Sequence, residues 1–340
     1  MNIYPIVKQL LFQLSAEKAH DFSLSQLNSA VNFPLFKTLM GCPVGFPIQE
    51  VRMAGLTFPH PVGLAAGLDK NAIAFEAMSK LGFSFVEVGT VTPKPQAGNP
   101  QPRLFRLPKD QALINRMGFN NDGVDAIAER LAKRHATKGL IIGGNIGKNK
   151  STPNESAVDD YLICFDRLKD LVDYFTVNIS SPNTPDLRAL QDKEPLKKLL
   201  ESLKNAQAKA SVHRPIFLKI APDLNKAQLD DIIEIILELS LEGLIGTNTT
   251  ISRSGLSSNP QTITQIGAGG LSGKPLSQSA TAIIKYIHEQ TEGQVPIIAS
   301  GGIMSAEDAQ NKMKAGAKLV QLYTGFVYHG PKLIADILKS

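Results

Sequence analysis

Residues 174–222 read YFTVNISSPNTPDLRALQDKEPLKKLLESLKNAQAKASVHRPIFLKIAP. Two short runs rich in Val, Ile and Phe, YFTVNIS (174–180) and PIFLKIAP (215–222), flank a helical stretch at 194–210. Such a run between turn residues reads as a buried strand, and the whole as one strand–helix–strand unit. The unit recurs along the chain. Six more runs follow the same pattern: PVGLAAG (61–67), SFVEVGT (84–90), LIIGGNIG (140–147), GLIGTNTT (243–250), VPIIASGGI (295–303) and KLVQLYTGF (318–326). Helical stretches at 72–81, 123–136, 156–171, 225–240, 276–290 and 305–315 lie between most of them, and 331–339 supplies a last helix. Eight strand–helix alternations predict an α/β fold of one closed, eight-stranded parallel β/α (TIM) barrel. A doubly wound open sheet is the competing architecture. The repeat number and the lack of GxGxxG after the first strand argue against it.

Three segments stand outside the repeat. Residues 51–60 read as a short hairpin or strand. The connection 91–122 is too long to be a plain turn, and it sits on the side of a barrel that carries active sites. In the first forty residues, Ile3, Ile6, Val7, Leu10, Leu11 and Leu14 follow the spacing of an amphipathic helix. Ser15 can cap a second helix, with Glu17 and Asp21 near its positive end, and Pro34 is expected to end it. We divide the chain into an N-terminal amphipathic extension, 1–45, and a barrel domain, 46–340. The extension has two readings: packing on the barrel, or an apolar mouth set in a membrane surface that admits a lipid-like molecule.

Composition removes several function classes. The 340 residues are 43% apolar and 20% charged, which suits a folded core and not a disordered chain. A net charge of +5 suits an anionic substrate or membrane surface, and no basic run resembles a nucleic-acid stripe. Cys42 and Cys164 are too few for a disulfide framework and point to a reducing compartment. The start of the chain does not read as a signal peptide, and no apolar run approaches the ~20 residues of a spanning helix. His20, His60, His135, His213, His288 and His329 are scattered, so no catalytic metal is expected.

Chemistry in such a barrel belongs at the C-terminal ends of the strands. Here those ends carry Ala66-Gly67-Leu68-Asp69-Lys70, Gly89-Thr90, Asn145 with Lys148, Asn178 through Asn183, Lys219, Thr247 through Thr250, Gly301-Gly302, and Tyr323-Thr324-Gly325. Glycine loops after the last two strands, together with Gly273, predict a phosphate cup of backbone N–H groups; tight turns alone are the plain alternative. Asn115, Asn178, Asn183 and Asn248 at one mouth suit a planar ligand with alternating C=O and N–H groups. Lys219 alternates with apolar neighbours in Ile216-Phe217-Leu218-Lys219-Ile220 and so points inward. A buried Lys needs an anion, or serves as a Schiff-base nucleophile; Lys70 is the other inward candidate. Ser181 has no triad pattern and no GxSxG elbow around it, so it is a turn residue before Pro182 or a base in a special environment.

Read in order, GLAAGLDK (63–70), EVGTVTPKPQ (87–96), PRLFRL (102–107), INRMGFNN (114–121), NIGKNK (145–150), NISSPNTP (178–185), LKIAPDL (218–224), TNTT (247–250), GGLSGKPL (269–276), SGGI (300–303) and YTGF (323–326) resemble the class 2 dihydroorotate dehydrogenases over essentially the whole chain. The resemblance implies oxidation of dihydroorotate to orotate in pyrimidine biosynthesis, with FMN as cofactor and a membrane quinone as acceptor. It implies FMN contacts at Ala66, Gly67, Leu68, Asp69, Lys70, Thr90, Asn145, Asn178, Lys219, Thr247, Gly273, Gly302, Tyr323 and Thr324. It implies substrate contacts at Lys70, Asn115, Arg116, Met117, Gly118, Phe119, Asn178, Asn183, Asn248 and Thr249. The catalytic base falls on Ser181, where class 1 members carry Cys. Ser at this position and the helical extension both select the quinone acceptor. The mechanism implied has Ser181 taking the proton from substrate carbon 5, hydride leaving carbon 6 for flavin nitrogen 5, and Lys219 offsetting charge on the reduced ring. Quinone would approach between the two N-terminal helices, near Arg103, Arg106, His20 and Tyr323. The expected setting is a monomer bound peripherally to the cytoplasmic face of a bacterial inner membrane. Two rivals remain: another FMN barrel oxidoreductase with a soluble acceptor, and a colourless phosphate-binding barrel lyase using Lys219 as a Schiff base.

Overall fold

The computed structural model describes residues 2–43, 49–134 and 139–340. Eight parallel strands close into a barrel in strict chain order. They are β1 (Val62–Leu64), β2 (Phe85–Val91), β3 (Ile141–Ile146), β4 (Tyr174–Asn178), β5 (Ile216–Ile220), β6 (Gly243–Gly246), β7 (Ile297–Ser300) and β8 (Leu319–Leu322). β8 hydrogen-bonds back to β1, with Val320 beside Val62. Each strand lies inside the run expected for it, except that β2 continues one residue further, to Val91. Nearly every strand residue is buried, because one face meets the helical ring and the other fills the barrel; that is why the runs are apolar without alternation.

The outer helices form where expected, with ends that differ by up to a few residues. The helix Lys193–Lys209 buries Leu196, Leu199, Leu200 and Leu203, an i, i+3, i+4, i+7 stripe. Asn225 and Gln228 make a reciprocal capping box at 2.9 and 3.1 Å that starts the helix Lys226–Glu238. The helix expected at 123–136 spans Val124–Ala132; its expected last residues, 135–136, and the boundary between residues 45 and 46 lie outside the described residues.

The bottom of the barrel is sealed by aromatic and branched side chains. A hairpin of Val51–Met53 and Leu56–Phe58 places Met53 and Phe58 against Phe85, Tyr174, Phe217, Ile245, Ile298 and Leu319. Phe58 meets Phe85, and Tyr174 meets Phe217, edge to face at 5.2 and 5.4 Å. Gly143 makes room for this layer, since a Cβ there would stand 2.2 Å from the Tyr174 ring. Phe217→Ala would open this layer at a cost of about 3–5 kcal/mol.

At the top, the connection 91–122 is not a loop. It folds into antiparallel strands Leu104–Leu107 and Ala112–Asn115, turning at Gln111, whose φ is +46°. Gly270–Gly273, from the connection after β6, pairs with the second of them to make a three-stranded sheet beside the mouth. Leu107, Ala112, Ile114, Ile266 and Leu271 form its own small core. Pairing across so long a separation leaves no local periodicity in sequence, so this sheet was not expected.

The extension forms α1 (Tyr4–Gln13), α2 (Ala16–Ala30) and a short helix Phe36–Leu39. Ser15 caps α2 by accepting the Lys18 N–H at 3.4 Å. α2 stops at Ala30, ahead of Pro34. The Tyr4 hydroxyl donates to the Val327 carbonyl at 2.7 Å and ties α1 to the barrel. The expected apolar stripe of α1 splits into two faces. Ile3, Val7 and Leu11 turn toward the barrel, while Ile6, Leu10 and Leu14 are exposed.

Candidate active site and adjoining cavity

The strand ends converge on one cavity at the barrel mouth. Lys70, Thr90, Asn178, Ser181, Lys219 and Thr247 line it, as do Asn115, Asn183, Asn248 and Thr249. All four asparagines singled out in the sequence therefore meet. Their amides are oriented by the chain. Asn115 Oδ1 accepts the Met117 N–H at 2.7 Å, leaving its N–H groups to a ligand. Asn178 Nδ2 donates to Thr90 Oγ1 at 2.8 Å, and its Oδ1 accepts from Asn248 Nδ2 at 3.2 Å. Ser181 is buried, and its Oγ accepts the Asn183 N–H at 3.2 Å.

Below this layer lies a buried polar network. The Glu87 carboxylate is wholly buried and accepts from Asn145 Nδ2 and Gln321 Nε2, both at 2.7 Å. The Lys219 ammonium stands 3.8 Å from Glu87 Oε1. The inward lysine thus has an anionic partner inside the protein, and a ligand is not needed to supply one. Lys70 is also buried, 3.3 Å from Met117 Sδ. Burial, and after it the nearby Arg103 cation, push its pKa down to about 8 against the pull of Glu17 and Asp21.

The glycine loops come together on the far side of the same cavity, where Gly273, Gly301, Gly302, Ile303, Thr324 and Gly325 form one wall. Gly302 sits at φ +73°, and a Cβ there would lie 2.3 Å from Ser277 Cα. No other residue could bring this backbone so close to the start of the helix Ser277–Gln290. Asp308 braces the segment by accepting the Met304 N–H at 3.0 Å. These features fit a phosphate-bearing planar heterocycle: a backbone-lined cup, and in the same cavity the buried Lys219 cation and Gln321 Oε1, a buried acceptor that meets no donor among the described residues.

Several sequence-selected residues take other places. Asn145 is fully buried beneath the cavity wall, where its Oδ1 accepts from Thr90 Oγ1 at 2.5 Å. Asp69 accepts the Ile73 and Ala74 N–H groups at 2.9 and 2.8 Å and shapes its own loop. Leu68 lines the second cavity described below. Arg116 turns to the Pro102 and Ile266 carbonyls and stacks on Phe105 at 4.9 Å. Met117 is buried behind Lys70. Conversely, Glu87 and Gln321 were not singled out. Their signal was present: a charged and an amide side chain at interior positions of apolar strands.

A second cavity, of about 340 Å³, lies between α1, α2 and the top of the barrel. It is not bounded by the two helices alone: Leu68, Leu104, Leu113 and Phe326 complete its apolar wall. Three of the four residues expected at its polar end are there. His20 lines it, with burial pushing its imidazole down to about 4. Arg106 lines it, stacks on Phe12 at 4.4 Å and donates to the Leu11 and Leu14 carbonyls at the end of α1. Arg103 instead turns to Glu17. Tyr323 lines both cavities and is the one described residue to do so; its hydroxyl donates to the Gly67 carbonyl at 3.4 Å.

Among the described residues no helix is long and apolar enough to cross a membrane, and no cluster of His, Cys, Asp or Glu could hold a metal ion.

Comparison with known proteins agrees with this geometry. The dihydroorotate dehydrogenase family model matches residues 48–340. A protein of Christiangramia forsetii named dihydroorotate dehydrogenase (quinone) is 52% identical over 98% of this chain and 96% of its own length. One of the same name from Methylobacillus flagellatus is 49% identical over 99% of each chain. The crystal structure of the ligand-free enzyme of this type from Eimeria tenella superposes with a TM-score of 0.86 at 40% identity, covering 95% of this chain and 93% of that one. Membership implies a flavin cofactor, and the cup, the buried cation and the orphan acceptor suit one. A family match over most of the length, joined to a mouth of oriented amides, establishes that the chain belongs to the dihydroorotate dehydrogenase family.

Proposed function

We propose that this chain oxidises dihydroorotate to orotate in pyrimidine biosynthesis, holds FMN, and passes the electrons to a membrane quinone. The observation that carries the reading is Tyr323. It is the shared wall of a polar mouth suited to an amide-bearing anion and of an apolar cavity suited to a lipid-like molecule. FMN, when bound, supplies a two-electron acceptor that a quinone can reoxidise. Gly273, Gly302 and Thr324 would hold its phosphate, and Thr90, Lys219 and Gln321 its ring. The substrate's carboxylate and amide edges fall to Lys70 and the four asparagines. Ser181 takes the proton at substrate carbon 5, with bulk water or a relay receiving it in turn. Lys219 favours negative charge at the cavity floor. Its contact with Glu87 makes it half of an ion pair, which disfavours the Schiff-base lyase.

The extension, residues 1–45, is the proposed membrane-facing part. Among the described residues, six of the eleven exposed large apolar ones, Ile6, Leu10, Leu14, Phe22, Phe33 and Leu35, fall in its first thirty-five residues. An apolar face of this kind beside an apolar cavity suits peripheral contact with a membrane, here the cytoplasmic face of an inner membrane. The test is the visible spectrum of the purified protein without oxygen, before and after dihydroorotate. A yellow protein that bleaches supports the substrate and flavin together. A yellow protein that does not bleach overturns the substrate, and a colourless one that takes up no FMN overturns the redox reading.

A further inference from the structure

Glu87 is a wholly buried charged group of the barrel interior to which the function above gives no role of its own. It collects partners from four other strands: Asn145 on β3, the Tyr174 hydroxyl on β4 at 3.3 Å, Lys219 on β5 and Gln321 just inside the end of β8. Barrel interiors are ordinarily filled by branched apolar side chains, and a buried carboxylate is strongly destabilising unless paired. Each partner that reaches the cavity, Lys219 and Gln321, is held from below by this one group.

A carboxylate only accepts hydrogen bonds. Gln321 must therefore turn its NH₂ to Glu87, which leaves Oε1, buried and without a donor, for a ligand N–H. Asn145 must do the same, so its Oδ1 faces Thr90 and Asn178 Nδ2, the latter at 3.1 Å. That in turn leaves Asn178 Oδ1 to receive Asn248 Nδ2. One charge thus sets the donor–acceptor sense of a chain of amides running from the barrel floor to the substrate layer.

We propose that Glu87 is a positioning residue. It holds the Lys219 ammonium and the Gln321 carbonyl as an adjacent donor and acceptor for the N–H/C=O edge of the flavin ring. By offsetting the ammonium it also lowers the flavin's reduction potential. This role rests on the flavin reading above.

The experiment is a reductive titration of the FMN-loaded protein against a reference dye, comparing wild type with Glu87→Gln and Glu87→Asp. Glu87→Gln keeps the size and loses the charge. It should favour the reduced flavin by about tenfold or more, an upward shift of about 30 mV for a two-electron couple. Glu87→Asp keeps the charge and should return the potential toward the wild-type value. An unshifted potential in Glu87→Gln overturns the proposal, and so does an equal shift in Glu87→Asp. If Glu87→Gln does not fold, the same change is read on a Lys219→Met background, where both charges are gone. With no ammonium left to offset, the potential should stay close to that of Lys219→Met alone, and a rise of about 30 mV there overturns the proposal. A wild-type protein that binds no flavin removes the underlying reading and this role with it, an outcome distinct from an unshifted potential.

Discussion

The Arg103 guanidinium grips the Glu17 carboxylate through Nε at 2.9 Å and Nη2 at 2.7 Å, and both side chains are largely buried. Glu17 is on α2, whereas Arg103 lies just before the first strand of the mouth sheet. The same guanidinium holds the Ala97 and Asn99 carbonyls at 2.6 and 2.8 Å. The extension is therefore latched to the segment that carries Asn115, although the two are far apart in sequence.

Arg103→Ala should lower stability by about 3–5 kcal/mol, because it leaves a buried carboxylate and two carbonyls without their partner. Thermal unfolding measures this. The pair also has a sign with pH. Burial raises the Glu17 pKa, but the hydrogen bond and charge of Arg103, followed by the Gln101 hydrogen bond and the Lys70 charge, together outweigh it, so the carboxyl sits below its ordinary value. Its contribution is present above the ordinary carboxylate pKa and is lost as pH falls through the lowered one. Glu17→Gln should show a shallower acid-side loss of stability than wild type; an equal slope would assign that loss elsewhere.

Ser181→Ala should slow reduction of the bound flavin by dihydroorotate about 10²–10⁴-fold, the usual worth of a positioned base. Rapid mixing without oxygen reads this step alone. Reduction at wild-type speed would remove Ser181 from the chemistry.

Affinity for orotate should fall as pH rises through about 8, the value to which burial and Arg103 push Lys70. Below that value the ammonium is charged and pairs with a carboxylate; above it the pairing is lost. Lys70→Met should bind more weakly at pH 7 and flatten this dependence. A pH profile that survives the substitution intact would point to another group.

Val7 faces the apolar cavity from α1. Val7→Trp fills part of that space and should slow flavin reoxidation by a long-chain quinone about tenfold, equivalent to about 1.4 kcal/mol. Reduction by dihydroorotate should be unchanged, since Val7 does not line the mouth cavity. Equal slowing of both half-reactions would mean that the substitution disturbs the barrel instead.

The sequence by itself determined the barrel, because eight doubly buried strands must be short apolar runs, and helices between them must carry stripes. It also determined which strand ends bear polar residues, and those residues converge as the closed topology requires. It did not reveal the sheet beside the mouth, since Leu104–Leu107, Ala112–Asn115 and Gly270–Gly273 are joined by long-range pairing that leaves no local periodicity. Nor did it separate Asn145, beneath the cavity, from Asn178 on its wall, which differ by one layer of the barrel. Only the tertiary structure decided the partner of Lys219, because Glu87 reaches it across the barrel interior, and side-chain direction across a closed sheet is set by strand tilt and register. The two faces of α1 were decided in the same way: an apolar helix stripe has no preferred partner until the barrel presents one surface to it and leaves the other open.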